Sequence, residues 1–392
     1  MMRPMAVMVW NSERIFHDGT AYFNALEEDL ARVQKSVDLE TYIFEDDGLG
    51  RKMAKTLGEL AERGVRVRVM VDGVGSPGFY GRFGDELTRK GIQVRIFNPS
   101  PLDLSLFSYK FFPGLSRLLQ FFWSANRRNH RKVFVLDEKV VWTGGINISA
   151  KQVANYEAQV AWRDTGIRVE GREVAEFLKA FEAAWSHGWT PVPQKKTLNF
   201  YWQRYRSRRS PRTHRLVQFN FTRSLRRRTH MELVRNIQLA RERIWITTAY
   251  FIPEKRIMRA LRYAAKRGID VRIIVPCKSD VIFTQWVGAA HYFKLLKAGV
   301  KIFEYLPCMI HAKTFVIDDW GMVGSTNLNH RSIFHDLEVN VLVTTEEGIR
   351  SLTNQFLIDQ AQSRLIDLDD WKSRPLLVRI AGNLLMYLKY WF

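Results

Sequence analysis

The stretch His311-Ala-Lys313-Thr-Phe-Val-Ile-Asp318, with Gly324-Ser-Thr-Asn327 shortly after it, decides the fold, because the chain contains it twice. The other copy is His130-Arg-Lys132-Val-Phe-Val-Leu-Asp137, followed by Gly144-Gly-Ile-Asn147. Each copy has a His, a Lys two residues later, four mostly apolar residues, an Asp, a turn, and small residues before an Asn. Two unrelated β-hairpins would not repeat these polar residues at one spacing, so we expect two halves of the same architecture.

The spacing within each copy predicts a strand that carries two functional side chains. Residues i and i+2 of a strand share a face, so each His points the same way as the Lys of its motif. The apolar residues after the Lys continue as a buried strand. Asp137 and Asp318 end that strand at a turn, far from the reacting end at ~3.3 Å per residue. We therefore expect these two carboxylates to orient the motif.

Together the two copies supply two imidazoles, two ammonium groups and two carboxamides, a set that suits a phosphodiester. Lys132 and Lys313, with Asn147 and Asn327, can bind the non-bridging oxygens and the charge that builds on them. One imidazole can attack phosphorus and become covalently phosphorylated. The other can protonate the leaving alcohol and then deprotonate the incoming one. This scheme needs neither a metal nor a cofactor.

The order of predicted elements around the motifs is also duplicated. Glu62-Arg-Gly64-Val-Arg-Val-Arg-Val and Lys266-Arg-Gly268-Ile-Asp-Val-Arg-Ile each show a helix end followed by a strand. Strands that alternate with helices predict an α/β fold with a largely parallel sheet in each half. We expect two pseudo-duplicated lobes, at 1–190 and 229–370.

The composition sets broad limits on function. The chain has 392 residues, of which 46% are hydrophobic, so it can form a sizeable core. Cys277 and Cys308 give neither a disulfide framework nor a metal-binding spacing. The net charge of +20 favours a polyanionic partner, either nucleic acid or an anionic lipid surface. No stretch reaches the ~18–20 uninterrupted apolar residues of a membrane span, so we expect any membrane contact to be peripheral.

An apolar insertion at about 99–129 distinguishes the first half from the second. Phe97 lies thirty-three positions before His130, whereas the equivalent distance in the second half is six positions. The extra residues are rich in Leu and Phe and turn basic at Arg127-Arg128. Two interpretations stay open: a helical hairpin packed on the lobe, or a surface that enters lipid headgroups beside the motif. The basic flank and the position next to the His favour the second.

Two further segments are expected to lie outside the lobes. Residues 191–228 are predicted to form a basic linker, whose arginines, interleaved with Trp and Tyr, suit either phosphate recognition or a solvated connection. Residues 371–392 are predicted to form an amphipathic helix that ends in Tyr390-Trp-Phe392. This helix is either a last core helix or one that lies at a membrane interface, and its terminal aromatic residues favour the interface.

The two His-x-Lys-x4-Asp motifs, with their Gly-Gly-x-Asn and Gly-Ser-x-Asn runs, resemble those of the phospholipase D superfamily. The resemblance extends from about residue 37 to about residue 344. It is greatest to the bacterial cardiolipin synthases that lack amino-terminal membrane spans. It implies two phospholipase D-like lobes with one active site at their interface. The catalytic set that it implies is His130, Lys132, Asp137, His311, Lys313 and Asp318.

The resemblance also implies roles for residues outside the motifs. Asp164 and Glu338 match positions whose carboxylates hold the far nitrogen of a catalytic His, the alternative being surface salt bridges. Which carboxylate serves which His stays open, because the two could cross between lobes. Glu40, Tyr42 and Tyr250 match residues at the substrate mouth.

The function that the resemblance implies is phosphatidyl transfer, in which two phosphatidylglycerol molecules give cardiolipin and glycerol. His130 is expected to be the nucleophile and His311 the acid and base, with the reverse assignment as the alternative. The expected partner is an anionic phospholipid membrane, contacted peripherally at the cytoplasmic face of the bacterial plasma membrane. No nucleic acid partner is expected, because a nuclease of the superfamily fits the charge but not the apolar segments. An inactive membrane scaffold does not fit two intact motifs, and the oligomeric state is not readable.

Overall fold

The computed structural model describes residues 9–99, 127–154, 160–187 and 216–374. Nearly all of the predicted apolar insertion lies outside the described residues, as do the predicted linker up to residue 215 and the predicted C-terminal helix beyond residue 374. Two sheets with helices on their faces form the described structure, and this is the two-lobed α/β architecture predicted from the sequence. No helix in the described ranges is both long enough and apolar enough to cross a bilayer.

A seven-stranded sheet forms the first lobe. Its strands are β1 (Ser12–Phe16), β2 (Ser36–Thr41), β3 (Arg66–Asp72), β4 (Gln93–Phe97), β5 (Val133–Leu136), β6 (Val140–Gly144) and β7 (Gly166–Glu170). Their order across the sheet is β1-β7-β6-β5-β2-β3-β4, in which only the neighbours β2, β3 and β4 pair in parallel. The prediction of a largely parallel sheet is therefore wrong, because the motif strand β5 pairs antiparallel with both of its neighbours, as the motif strand of the second lobe also does. The helices of this lobe are α1 (Gly19–Arg32), α2 (Gly48–Glu62), α3 (Asp85–Arg89) and α4 (Val174–Trp185).

An eight-stranded sheet forms the second lobe. Its strands are β8 (Val217–Phe219), β9 (Arg243–Thr247), β10 (Asp270–Pro276), β11 (Lys301–Tyr305), β12 (Thr314–Ile317), β13 (Trp320–Gly324), β14 (Val339–Val343) and β15 (Ser363–Ile366). Their order is β15-β11-β10-β9-β12-β13-β14-β8. The helices are α5 (Arg223–Leu239), α6 (Lys255–Lys266), α7 (Ile282–Leu296), α8 (His330–Phe334), α9 (Glu346–Ala361) and α10 (Leu368–Ser373).

The two sheets share one topology over six strands. The order β4-β3-β2-β5-β6-β7 in the first lobe corresponds to β11-β10-β9-β12-β13-β14 in the second. The shared order is the structural counterpart of the repeated motif. The second lobe begins earlier than the sequence predicts, because β8 pairs with β14 and α5 starts at Arg223. Residues 216–228 of the predicted linker therefore belong to folded elements.

Helix boundaries follow the capping residues of the sequence. Asp18 accepts a hydrogen bond from the Ala21 N–H (2.8 Å) at the start of α1, and Asp47 accepts one from the Gly50 N–H (2.9 Å) at the start of α2. Gly64, which has a φ of 87°, follows the end of α2. These local signals explain why predicted and observed helix ends agree within a few residues.

The motif strands are buried on both faces. Phe134 and Leu136 of β5 lie in the core of the first lobe, whereas Val133 and Val135 lie in a core that both lobes share. Val316 of β12 reaches the same shared core from the second lobe. A strand that is buried on both faces is apolar along nearly its whole length, and the four residues after each His-x-Lys are mostly apolar.

The shared core holds the two lobes together. It includes Phe177 of α4 from the first lobe and Phe356 of α9 from the second, and the ring of Phe356 stacks on Trp245 with centroids 5.0 Å apart. The N-terminal segment adds polar contacts, since the Trp10 indole N–H donates to the Leu342 carbonyl (2.9 Å). These contacts fix the position of one lobe relative to the other, and the motif histidines lie at the interface between them.

Candidate active site

The motif histidines immediately precede the central strands β5 and β12, and each is tied by its backbone to the other lobe. The His130 N–H donates to the carbonyl of Leu337 (3.0 Å), and the His311 N–H donates to the carbonyl of Arg163 (2.7 Å). Each contact belongs to a short parallel β-bridge between the lobes. The backbone alone therefore places both histidines at the lobe interface.

The carboxylates of Asp164 and Glu338 each bind the motif histidine of the other lobe. His130 Nδ1 lies 3.1 Å from Glu338 Oε2, and His311 Nδ1 lies 2.7 Å from Asp164 Oδ2. All four side chains are buried. A carboxylate on Nδ1 fixes the ring and its tautomer, and Nε2 is the nitrogen without a carboxylate partner. The sequence leaves open which carboxylate pairs with which His. In the structure, each His pairs with the carboxylate of the other half.

The first motif has a Gly where the second has a Ser, and this difference matches the different lengths of the neighbouring carboxylates, Asp164 and Glu338. A Cβ atom on Gly145 would lie 2.1 Å from Asp164 Oδ1, so the second Gly of the first motif leaves room for the shorter carboxylate. The equivalent position in the second motif is Ser325, whose hydroxyl donates to Glu338. The Val339 N–H in turn donates to the Ser325 hydroxyl oxygen (3.1 Å). Ser325 thus fixes the longer carboxylate that serves His130.

The two motif lysines are buried beside the histidines. Lys132 Nζ donates to the His130 carbonyl (2.6 Å), and Lys313 Nζ lies 2.8 and 2.9 Å from the two ring nitrogens of His311. Burial, with the charge of Lys313, lowers the pKa of Lys132 to about 7. Burial lowers the pKa of Lys313 to about 8. Both ammonium groups therefore lack a full counter-charge until an anion enters.

The charges that act on each histidine come from both lobes, so the two rings lie near one another. Burial lowers the pKa of His130 well below its usual value. Lys132, Lys313 and His311 lower this pKa further, whereas Asp336 raises it. Burial and Lys313 lower the pKa of His311, while its hydrogen bond to Asp164 opposes this change. Groups from both lobes thus act on one imidazole. Both rings are neutral near pH 7 before substrate binds.

Two tyrosines flank the histidines, and their place at a substrate mouth stays a prediction. The ring centroid of Tyr42 lies 4.9 Å from that of His130, and the centroid of Tyr250 lies 6.3 Å from that of His311. Both tyrosines are half-buried. The Tyr250 hydroxyl donates to Asp280 (2.9 Å), so the second ring is also held from outside.

Glu40 is not where the sequence places it. Its side chain is buried, and its carboxylate binds Arg131 Nη2 (3.0 Å) and the Asn129 amide (3.0 Å). Glu40 lies in β2, and its contacts are with the segment around His130 rather than with an opening. The same ion pair explains why the first motif has Arg131 where the second has an Ala, since Arg131 is fully buried. Glu40 therefore supports the His130 segment from inside and does not line the mouth.

The two motif asparagines are buried, but they differ in their contacts. Asn147 Oδ1 accepts a hydrogen bond from the Ile43 N–H (3.3 Å), which ties it to the residue after Tyr42. Asn327 Oδ1 has no hydrogen-bond partner among the described residues. A role for both side chains in binding phosphate remains a prediction. In the described part of the chain, no three His, Cys, Asp or Glu side chains are grouped so that they could hold a metal ion.

Asp137 and Asp318 do not contact the histidines, and they make equivalent hydrogen bonds in the two lobes. Asp137 accepts hydrogen bonds from the backbone N–H groups of residues 34–36, just before β2, at 2.7–3.0 Å for the shortest contact to each. Asp318 accepts three from residues 241–243, just before β9, at 2.9–3.0 Å. Each aspartate thus joins the end of its motif strand to the start of the neighbouring strand. The geometry gives them an orienting position and no contact with the histidines.

A family model described as "Cardiolipin synthase, PLD-like domain" matches residues 26–185 and 233–359, which include both motifs and both crossed carboxylates. The chain belongs to this family. It is 31% identical to cardiolipin synthase B of Salmonella typhi over 362 residues, covering 91% of this chain and 81% of that protein. It is 27% identical to a cardiolipin synthase of Clostridium perfringens over 380 residues, covering 96% of this chain and 76% of that protein.

Solved structures support the fold. Phosphatidylserine synthase from Haemophilus influenzae superposes with a TM-score of 0.66 at 13% identity, covering 98% of this chain and 95% of that one. At this identity the similarity concerns the fold alone. The predicted superfamily and the predicted two-lobed fold are thus confirmed.

Several residues of this cardiolipin synthase-family site were not among those assigned from the sequence. The ring of Trp162 lies 5.6 Å from that of His311, and Asp336 accepts hydrogen bonds from the Arg128 N–H (3.1 Å) and from Arg331 (2.8 Å). Trp162 and Asp336 stand two residues before Asp164 and Glu338. Alignment of the two halves could therefore have found the positions, though not their contacts.

Proposed function

We propose that the protein is a cardiolipin synthase that transfers a phosphatidyl group from one phosphatidylglycerol to another through a phosphohistidine. The crossed pairs His130–Glu338 and His311–Asp164 carry the proposal, because they orient two neutral imidazoles from separate lobes in one buried pocket. The family membership supports the lipid substrate. The two lysines of the pocket supply the positive charge that a phosphodiester requires.

In the first step, His130 Nε2 attacks phosphorus and the bond from phosphorus to the glycerol oxygen breaks. The lowered pKa of His130 keeps the attacking nitrogen unprotonated, and Glu338 stabilises the charge that forms on the ring. His311 gives a proton to the departing glycerol oxygen. The negative substrate makes that protonated form accessible, because it offsets the burial and the Lys313 charge that otherwise lower the pKa of His311.

In the second step, a glycerol hydroxyl of another phosphatidylglycerol attacks the phosphohistidine. His311, which is now neutral, takes the proton of that hydroxyl, and the phosphorus–nitrogen bond breaks to release His130. The products are cardiolipin and an enzyme with His311 protonated, as it is in the substrate complex. The proton that His311 takes from water when the anionic substrate binds is given back when the product leaves. Transfer rather than hydrolysis requires water to be excluded, which suits the burial of the catalytic side chains.

The lysines and asparagines are assigned to the phosphate oxygens. Lys132 and Lys313 would gain a counter-charge when the phosphodiester binds, which repays part of the free energy lost by their burial. Asn147 and Asn327 would donate hydrogen bonds from their side-chain amide nitrogens to the phosphate oxygens. This set binds the increased charge of the transition state more strongly than the ground state.

We also propose that the protein acts while bound peripherally to the cytoplasmic face of the bacterial plasma membrane. The substrate is a lipid, and the net charge of +20 favours an anionic surface. The apolar insertion at about 99–129 and the C-terminal segment 371–392 are the parts assigned to lipid contact. The part of the predicted basic linker that precedes the folded second lobe, residues 191–215, is assigned to headgroup phosphates.

The direct test is incubation of the purified protein with phosphatidylglycerol vesicles, with and without phosphatidylethanolamine, followed by chromatography of the lipids. Cardiolipin and glycerol should appear in equal amounts. Phosphatidic acid as the main product would instead indicate a hydrolase. Cleavage of nucleic acid with a steep dependence on salt, in the absence of lipid turnover, would indicate a nuclease.

A further inference from the structure

A cavity in the second lobe lies outside the histidine site. Its volume is about 320 Å³, within the ~300–1,000 Å³ range of small-molecule sites. It lies at the carboxyl ends of the parallel strands β9, β10 and β11, where open α/β sheets bind their ligands. Ala249 and Phe251 line it, whereas Tyr250 between them lies beside His311. One residue therefore separates the cavity from the catalytic pocket.

One side of the cavity is charged and is lined by two arginines and two carboxylates, which are Arg364, Arg374, Glu304 and Asp370. Arg364 and Arg374 both bind the buried carboxylate of Glu304, the first at 2.8 Å. Each guanidinium has five N–H donors, and among the described residues these hydrogen bonds use one nitrogen, Nη2, of each. The other lining carboxylate, Asp370, accepts the Asp367 N–H (3.1 Å). The remaining guanidinium donors suit the oxygens of a phosphodiester.

The other side of the cavity is apolar and aromatic. Phe251 and Tyr292 line it, and Trp286 both lines it and is 38% exposed. Leu306, at the end of β11, is 55% exposed. A Trp and a Leu exposed beside arginines are typical of surfaces that lie at the headgroup level of a bilayer. The cavity thus has a charged side and an apolar side, which suit the phosphate and the apolar part of a phospholipid.

We propose that this cavity binds the headgroup of a second phospholipid molecule, one that is not reacting at the histidines. The phosphate lies against Arg364 and Arg374, and the glycerol backbone lies against Phe251 and Tyr292. Trp286 and Leu306 contact the surrounding lipid. The bound phospholipid fixes the second lobe on the bilayer with the catalytic pocket beside the membrane surface.

Vesicle binding without turnover tests the proposal independently of the transfer chemistry. The parent protein carries His130→Ala and His311→Ala, and the vesicles contain phosphatidylglycerol. Arg364→Gln should weaken binding roughly fivefold, the effect of one basic residue at an anionic surface. Ser373→Trp, which places a bulky side chain at an exposed lining position, should weaken it at least as much.

Arg350→Gln is the matched control, because it removes the same charge from an exposed position on α9 that does not line the cavity. Its vesicle binding should stay within about twofold of the parent protein. Equal losses in Arg350→Gln and Arg364→Gln would mean that the charge acts without a site, and the proposal would be wrong. Parent-like binding by both cavity variants would also overturn it.

A photocrosslinker identifies the occupant. With p-benzoylphenylalanine in place of Ser373, irradiation on phosphatidylglycerol vesicles should attach lipid to the peptide that contains position 373. Crosslinks to residues 375–392 of the same chain would show that the C-terminal segment fills the cavity. Crosslinks to a second copy of the chain would show a protein interface. Either of these results without a lipid adduct contradicts the proposal.

Discussion

The two motif histidines have different surroundings, and the difference fits the different roles proposed for them. His311 has Asp164 at 2.7 Å from Nδ1, and this hydrogen bond favours the protonated ring. His130 has Glu338 at 3.1 Å, and burial raises the pKa of that carboxyl to about 7, so it is a weaker counter-charge. A ring that repeatedly gains and loses a proton suits the first environment. A ring that must start neutral suits the second.

The lysine pKa values predict the pH dependence of transfer. In the free enzyme, Lys132 and Lys313 lose their protons as the pH rises through about 7 and about 8, so kcat/KM should fall over that interval. The bound phosphodiester stabilises the ammonium groups, so kcat should persist to higher pH. Lys132→Arg should move the alkaline limb upward while lowering kcat, because the guanidinium stays charged. A kcat/KM that is constant from about pH 6 to pH 9 would show that neither lysine needs its proton.

The crossed carboxylates predict a large loss of rate without a loss of fold. Glu338→Gln and Asp164→Asn should each lower kcat by about 10²–10⁴-fold, because an amide favours the wrong imidazole tautomer. Circular dichroism and thermal unfolding check that the variants fold. Glu346→Gln, at an exposed position in α9, is the control and should retain activity. A loss smaller than about tenfold in either buried variant would remove its partner from the scheme.

At the scale of elements, Asp137 and Asp318 show what a motif residue can do without reaching the substrate. Each joins a motif strand to its neighbour through backbone N–H groups at equivalent places in the two lobes. Asp137→Ala and Asp318→Ala should each lower the free energy of unfolding by about 1–3 kcal/mol, since they leave N–H groups unpaired. Urea denaturation measures this loss. The kcat of the folded fraction should change only a few-fold, and a catalytic loss without destabilisation would contradict the orienting role.

Elements were predictable from the sequence where their signals are local. Capping aspartates mark the starts of α1 and α2, Gly64 marks the end of α2, and the mostly apolar run after each His-x-Lys marks β5 and β12. Glu40 was misplaced because its contacts are not local. Its partner Asn129 is 89 positions away, and strand alternation does not tell which buried face is polar. β1, whose register depends on β7, has no comparable local signal.

At the scale of the whole molecule, duplication predicted two lobes and one interface, and the family comparison confirms the phosphatidyltransferase class. The exchange of carboxylates could not be predicted, because His130 and Glu338 are separated by 208 positions and His311 and Asp164 by 147. A symmetric repeat allows pairs within a lobe as readily as pairs between lobes. The short β-bridges that select the second arrangement exist only when the lobes are packed together.

The proposed membrane association concerns the whole molecule, and the C-terminal segment gives a further prediction for it. Removal of residues 376–392 should weaken sedimentation with anionic vesicles and leave the unfolding transition of the lobes unchanged, because the two lobe cores lie in the described residues before that segment. Replacement of the segment by a polar linker of equal length is the matched control for chain length. Unchanged sedimentation would remove the membrane role of this segment.

A donor that needs no acid to release its alcohol tests most directly whether the two histidines act in turn on one phosphorus. With phosphatidyl-p-nitrophenol, His311→Ala should release a burst of nitrophenol equal to the enzyme concentration and retain the phosphatidyl group on His130. His130→Ala should give no burst and no covalent lipid. A burst of nitrophenol from His130→Ala would contradict the mechanism. So would the absence of a burst from His311→Ala together with the absence of a phosphatidyl group on any histidine.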